Sequence, residues 1–192
     1  MKKIVLLFNM LILFTIVSEA QVIKYSLPEG DLKWSLDKPK DAKMCIPAAF
    51  TSESGKVLGS YRYKGKSYNA NGKLKVSLKG DTFSLNKYWT SDNGFEQLTL
   101  VHSSKPKRFK DSRKAIRRAL CKNDGITFLL ESLYPMTLSE FAYQCSKKST
   151  DAVYLDMGEY GYGYITIKNI KYPLHLLGFL TRHKQTNWLY IE

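Results

Sequence analysis

Residues Ile116 to Glu131 read IRRALCKNDGITFLLE, two runs rich in apolar residues on either side of Asn123, Asp124 and Gly125. Asn, Asp and Gly tolerate the positive φ that a tight turn demands, so this stretch predicts a β-hairpin. Directly after it the period changes. From Met136 the chain places Leu138, Phe141, Ala142 and Cys145 at three- and four-residue spacing, the repeat of an amphipathic helix. Thr137 and Glu140 fit a capping box, in which each side chain takes a free backbone N–H at the helix start.

Upstream of the hairpin the pattern is strand-rich. Ile23 to Leu27 and Leu32 to Leu36 alternate around Pro28, Glu29 and Gly30, as two short strands joined by a turn would. Met44 to Phe50 is nearly continuous in apolar residues and suits a buried strand. Val57 to Tyr63 alternates loosely, and turns at Asn69 to Gly72 and at Gly80 and Asp81 flank short alternating runs. Glu96 to His102 reads as one more strand. Downstream of the helix, Ala152 to Leu155 and Trp188 to Ile191 read as strands. Many strands, one clear helix and strands again predict an α+β fold of mixed, mostly antiparallel sheet layers in a single domain. No internal repeat is present.

The first residues predict a signal peptide over 1–20. Lys2 and Lys3 precede the apolar run Ile4 to Val17, and small Ser18 and Ala20 stand where a signal peptidase requires them. The run is shorter than the roughly 20 residues that span a bilayer, so cleavage after Ala20 and export to the periplasm or beyond are expected. No later run predicts a membrane span. Residues 21–42 are then expected as N-terminal strands and 43–192 as the main domain.

The net charge is +13, to which the leader contributes only Lys2, Lys3 and Glu19. Such a balance favours anionic partners. The basic residues are scattered rather than interleaved with aromatics in a stripe, which with export argues against nucleic acid. One dense stretch, Lys105 to Arg118, has Lys or Arg at 8 of its 14 positions. It reads either as a solvated loop or as a rim that attracts phosphate, phospholipid or anionic glycan. Cys45, Cys121 and Cys145 allow at most one bridge, and the expectation is three buried, apolar thiols. No Cys-x-x-Cys pair or His-rich cluster supports a zinc site. His102, His175 and His183 have no partner spacing that suggests a triad, and are expected to be structural. The pattern is silent on cofactor, metal requirement and oligomeric state.

Leu155, Asp156, Met157 and Gly158 set a carboxylate just past a buried strand, a common way to present an acid at a pocket rim; on composition alone the same residues mark a turn. The elements and motifs together resemble the phosphodiester glycosidase domain family over residues 43–191, as a divergent, exported bacterial member would. Pro47, Ala48 and Ala49 before Phe50 stand where the family carries Asn-Ala-Gly or Asn-Gly-Gly. Arg117, Arg118, Ala119, Leu120 and Cys121 are similar to its Arg-Thr-Ala-Leu-Gly strand, and Leu155 to Gly158 with Tyr160 to its Leu-Asp-Gly-Gly followed by serine.

The resemblance implies hydrolysis of sugar–phosphodiester linkages, or, because several signature positions differ, a non-catalytic relative that binds an anionic or phosphate-containing glycan. It implies Asp156 as the catalytic carboxylate. Arg117 and Arg118 are candidates for the phosphate, for which a planar guanidinium is well shaped, and Gly158 and Tyr160 complete the binding set. Arg118 is expected either to assist Arg117 or to point the other way, because neighbours on a strand face opposite sides. Glu159, Asp151 and Glu131 are candidates for a second carboxylate. Tyr160, Tyr162 and Tyr164 fit either a sugar-stacking row or one face of a strand.

Overall fold

The computed structural model describes residues 21–69, 74–157, 163–174 and 186–192. The central hairpin forms as its turn chemistry dictates. β11 (Arg118–Asn123) and β12 (Ile126–Ser132) pair in register from Arg118 opposite Glu131 to Asn123 opposite Ile126. Asp124 and Gly125 at the turn both take positive φ, 49° and 79°. This hairpin is the middle of a six-stranded sheet. Its neighbours are β1 (Val22–Ser26), β13 (Asp151–Leu155), β9 (Thr99–His102) and the two-residue β10 (Lys105–Pro106), in the order β1-β12-β11-β13-β9-β10.

A second sheet of five strands contains β2 (Lys33–Ser35), β3 (Met44–Pro47), β14 (Tyr164–Ile167), β15 (Ile170–Pro173) and β16 (Trp188–Ile191), ordered β15-β14-β3-β16-β2. A third contains β4 (Tyr61–Tyr63), β5 (Lys66–Tyr68), β6 (Lys75–Lys79), β7 (Thr82–Asn86) and β8 (Gly94–Glu96), ordered β5-β4-β8-β6-β7. Neighbouring strands run antiparallel throughout the described residues, as expected, and the domain is more β-dominated than an α+β label suggests.

Period-two alternation gives the six-stranded sheet two apolar faces. Leu120, Leu129, Val153 and Leu155 turn inward and share a core with Trp34, Ile46, Phe95 and Leu189 of the other sheets. Ala119, Cys121, Phe128, Leu130, Ala152 and Tyr154 turn the other way, into a second core beneath α1 (Leu138–Ser146). The helix buries Leu138, Phe141, Ala142 and Cys145, the residues whose spacing predicts it, and starts with the Thr137–Glu140 capping box. Truncating the fully buried Phe141 to alanine is expected to cost about 4 kcal/mol. Cys45, Cys121 and Cys145 are all free and buried. Among the described residues no helix is long and apolar enough to cross a membrane.

Several local expectations are corrected. The first two strands do not pair with each other, because β1 is taken by β12 and β2 by β16. In the expected strand Val57 to Tyr63 only the last three residues are extended. Glu96 to His102 is split between two sheets. Gln97 breaks it by donating from its side-chain amide to the Ala48 carbonyl at 3.4 Å and accepting from the Leu98 N–H at 2.8 Å. The 1–20 leader, most of the Asn69 to Gly72 turn, and His175 and His183 lie outside the described residues.

Candidate functional site

Arg117 and Arg118 point to opposite faces of the six-stranded sheet, as adjacent strand residues must. Arg117 goes to the helix face. Its Nε donates to the Met136 carbonyl at 3.1 Å and its Nη2 to the Arg113 carbonyl at 2.6 Å. Nη1 reaches the Tyr154 hydroxyl at 3.5 Å, and the guanidinium carbon lies 5.7 Å from the centre of the Tyr154 ring. The Asp111 carboxylate, half exposed, stands 3.7 Å from Nη2. Local pairing explains the burial of Arg117. Ala115 and Met136 exchange backbone hydrogen bonds and fold the basic segment against the start of the helix. Ser139 clamps it further, accepting from the Phe109 N–H and donating to the Phe109 carbonyl.

Arg118 goes to the inner face. Its Nε and Nη2 both meet Glu131 Oε2, at 2.8 and 2.6 Å, and Nη2 also donates to the Leu174 carbonyl at 3.3 Å. Both residues are buried. Gly163 makes room for this guanidinium. A Cβ there would come within 3.3 Å of Arg118 Nη1 and 2.7 Å of Ile46, and φ is +148°.

Asp156 follows the last residue of β13 and is half-buried. Its N–H donates to the Ala48 carbonyl at 2.9 Å, and its Oδ2 accepts from the Thr51 N–H at 3.3 Å. It therefore ties the end of the six-stranded sheet to the segment that leaves β3. Tyr154, two residues earlier, stacks obliquely on Phe50 with ring centres 5.6 Å apart. Burial pushes the Tyr154 phenol up; the hydrogen bond and charge of Arg117 oppose that rise, and the charge of Asp156 adds to it. Arg117 and Asp156 thus act on one phenol, on the face that Arg118 does not reach.

The segment Ala48 to Thr51 is held from a third direction by Asn187. Its amide donates to the Ala49 carbonyl and to Thr51 Oγ1, and its carbonyl oxygen accepts from the Ala49 N–H and the Trp34 indole. Ala48 and Ala49 are fully buried under this clamp.

Two of the three second-carboxylate candidates lie away from Asp156. Asp151 begins β13, about 16 Å along the strand, where it meets His102 Nδ1 at 2.9 Å. Glu131 is behind the sheet with Arg118. Glu159, Gly158, Tyr160 and Tyr162 lie outside the described residues. Sequence reasoning passed over Asp111, Tyr154 and Asn187. Tyr154 was legible as the i−2 neighbour of Asp156 on the same strand face, whereas nothing local marks Asn187 or Asp111. Among the described residues no group of three or more His, Cys, Asp or Glu side chains could hold a metal.

No family model matches the chain, and neither does any curated protein sequence. A solved structure does. The catalytic domain of zebrafish N-acetylglucosamine-1-phosphodiester alpha-N-acetylglucosaminidase, auto-inhibited by its pro-peptide, superposes with a TM-score of 0.54 at 10% identity. The likeness covers 85% of this chain and 73% of that one. At that identity the likeness is one of fold. What the two share is a distant similarity in the arrangement of their sheets.

Proposed function

We propose that this chain is an exported, glycosidase-like hydrolase acting on sugar–phosphodiester linkages. The observation that supports this reading most is the placement of Arg117, whose Nη1 lies 3.5 Å from the Tyr154 hydroxyl, near the end of β13 that Asp156 directly follows. Cleavage at an anomeric carbon needs a carboxylate to stabilise oxocarbenium character or activate water, and Asp156 fills that role. The departing phosphate needs positive charge. Arg117 and the basic segment before it supply that charge, and Gly158 and Tyr160 remain the further binding residues that the resemblance implies. Arg118, neutralised by Glu131 on the far face, contributes through packing rather than contact. Asp111, beside Arg117, is the candidate second acid.

A second reading, a non-catalytic relative that binds an anionic or phosphate-containing glycan, is favoured by one feature. The guanidinium of Arg117 is already spent on two backbone carbonyls, Tyr154 and Asp111, so a phosphate would have to displace protein partners.

The test is turnover of a panel of aryl and nucleotide-sugar phosphodiesters by residues 21–192, beside Asp156→Asn, Asp111→Asn and Arg117→Lys, each checked for folding by circular dichroism. Activity lost in folded Asp156→Asn supports the hydrolase, and activity unchanged in that variant removes Asp156 from the mechanism. No turnover on any substrate, together with calorimetric binding of an anionic glycan, establishes the second reading.

A further inference from the structure

The hairpin of β14 and β15 carries its apolar face past the core. Ile165 is buried, but Ile167, Ile170 and Tyr172, on the same face, are 51%, 57% and 46% exposed. Ile167 and Ile170 are direct cross-strand partners and close a two-residue turn at Lys168 and Asn169, both at positive φ, 49° and 63°. Positive φ at both turn positions matches the twist of the two strands and makes the tip a defined projection. Lys168 caps it. Lys171, on the opposite face, lies 4.7 Å above the ring of Tyr164. From Gly163 to Leu174 the chain has no acidic residue.

We propose that this tip docks on an anionic lipid surface, with Ile167 and Ile170 entering the acyl boundary, Tyr172 at headgroup level and Lys168 and Lys171 against lipid phosphates. The arrangement is that of a peripheral anchor, in which a small apolar surface and nearby cations add their contributions without a membrane span. The alternative occupant of an exposed edge strand is a second copy of this chain. β15 is the outer strand of its sheet, but Pro173 removes a donor from that edge and Lys171 would face like charge, and both features discourage edge-to-edge pairing. A strongly positive protein also repels its own copies, whereas an anionic membrane attracts it. The inference stands apart from the hydrolase reading, since the tip includes none of the residues assigned to the chemistry.

The experiment is co-sedimentation of residues 21–192 with phosphatidylcholine vesicles, with and without phosphatidylglycerol, beside the double variant Ile167→Ser, Ile170→Ser. Both isoleucines are exposed, so the variant is expected to fold, and circular dichroism checks it. The expected result is binding that requires phosphatidylglycerol, weakens with added salt and falls roughly ten-fold or more in the double variant. Three results would overturn the proposal. They are no binding to the anionic vesicles, binding that the double variant retains in full, which would assign it to the basic segment 105–118, and a dimer of the parent chain that the variant abolishes.

Discussion

Arg118 and Glu131 are directly opposed across the central hairpin, and both are buried between sheets. With Nη2 and Oε2 2.6 Å apart, the pair is an internal ion pair rather than part of a solvent-facing site. Removing one partner takes away the opposite charge that the other is buried against, so Arg118→Met and Glu131→Leu are each expected to cost about 3–5 kcal/mol. The double replacement is expected to cost much less than their sum. Urea unfolding of the four proteins measures this, and additive losses would mean that the two charges do not depend on each other.

Asn187 is the second internal polar anchor. Hydrogen bonds from its side chain join the start of β16 to the segment after β3 and to Trp34. Asn187→Ala leaves the Ala49 N–H and the indole N–H without that acceptor, and should lower stability by about 3 kcal/mol. A shift in tryptophan emission should accompany the loss. Unchanged stability would show that the clamp is dispensable.

At the helix start, Thr137→Ala should cost about 1 kcal/mol and Thr137→Ser should recover most of it, read from thermal unfolding. Hydrogen bonds from Thr137 hold the Glu140 carboxyl below its ordinary range. A depressed folded-state value contributes stability above the unfolded value and loses it as pH falls through the folded one. The stability difference between the parent and Glu140→Ala, which removes the carboxylate that accepts from the Thr137 N–H, should therefore shrink in acid.

The buried thiols give the opposite sign. Burial pushes Cys45 up to about 11 and raises Cys145 as well, the latter helped by a hydrogen bond with Cys121. Above about pH 8.5 unfolded thiols ionise while these stay protonated, so the unfolded state binds fewer protons and stability falls as pH rises. Cys45→Ala should flatten the decline in the urea midpoint between that point and about 11. An equally steep decline in the variant would remove Cys45 as a source.

The hairpin at Asp124 and Gly125, the capped helix and the last strand were legible because each is specified locally, by turn residues, by a capping box or by alternation. Strand partners were not, since Ile23 to Leu27 and Leu32 to Leu36 read as neighbours but find β12 and β16 instead. Alternation says which residues share a face and nothing about which strand lies alongside. The same limit held at the site. Strand geometry offered opposite directions for Arg117 and Arg118 as one of two readings, but that Glu131 would neutralise one and the Met136 and Arg113 carbonyls would hold the other depends on long-range pairing. Asn187 acts on residues 138 positions away, which no local pattern encodes.

The break at Gln97 also bears on how the molecule comes apart. Glu96 belongs to one sheet and Thr99 to another, with only Gln97 and Leu98 between them. Three peptide units are too short a tether for either layer to open while the other stays shut. Hydrogen exchange should accordingly report β8 and β9 opening together, with the same protection and the same response to denaturant. The two layers are expected to behave as one cooperative unit.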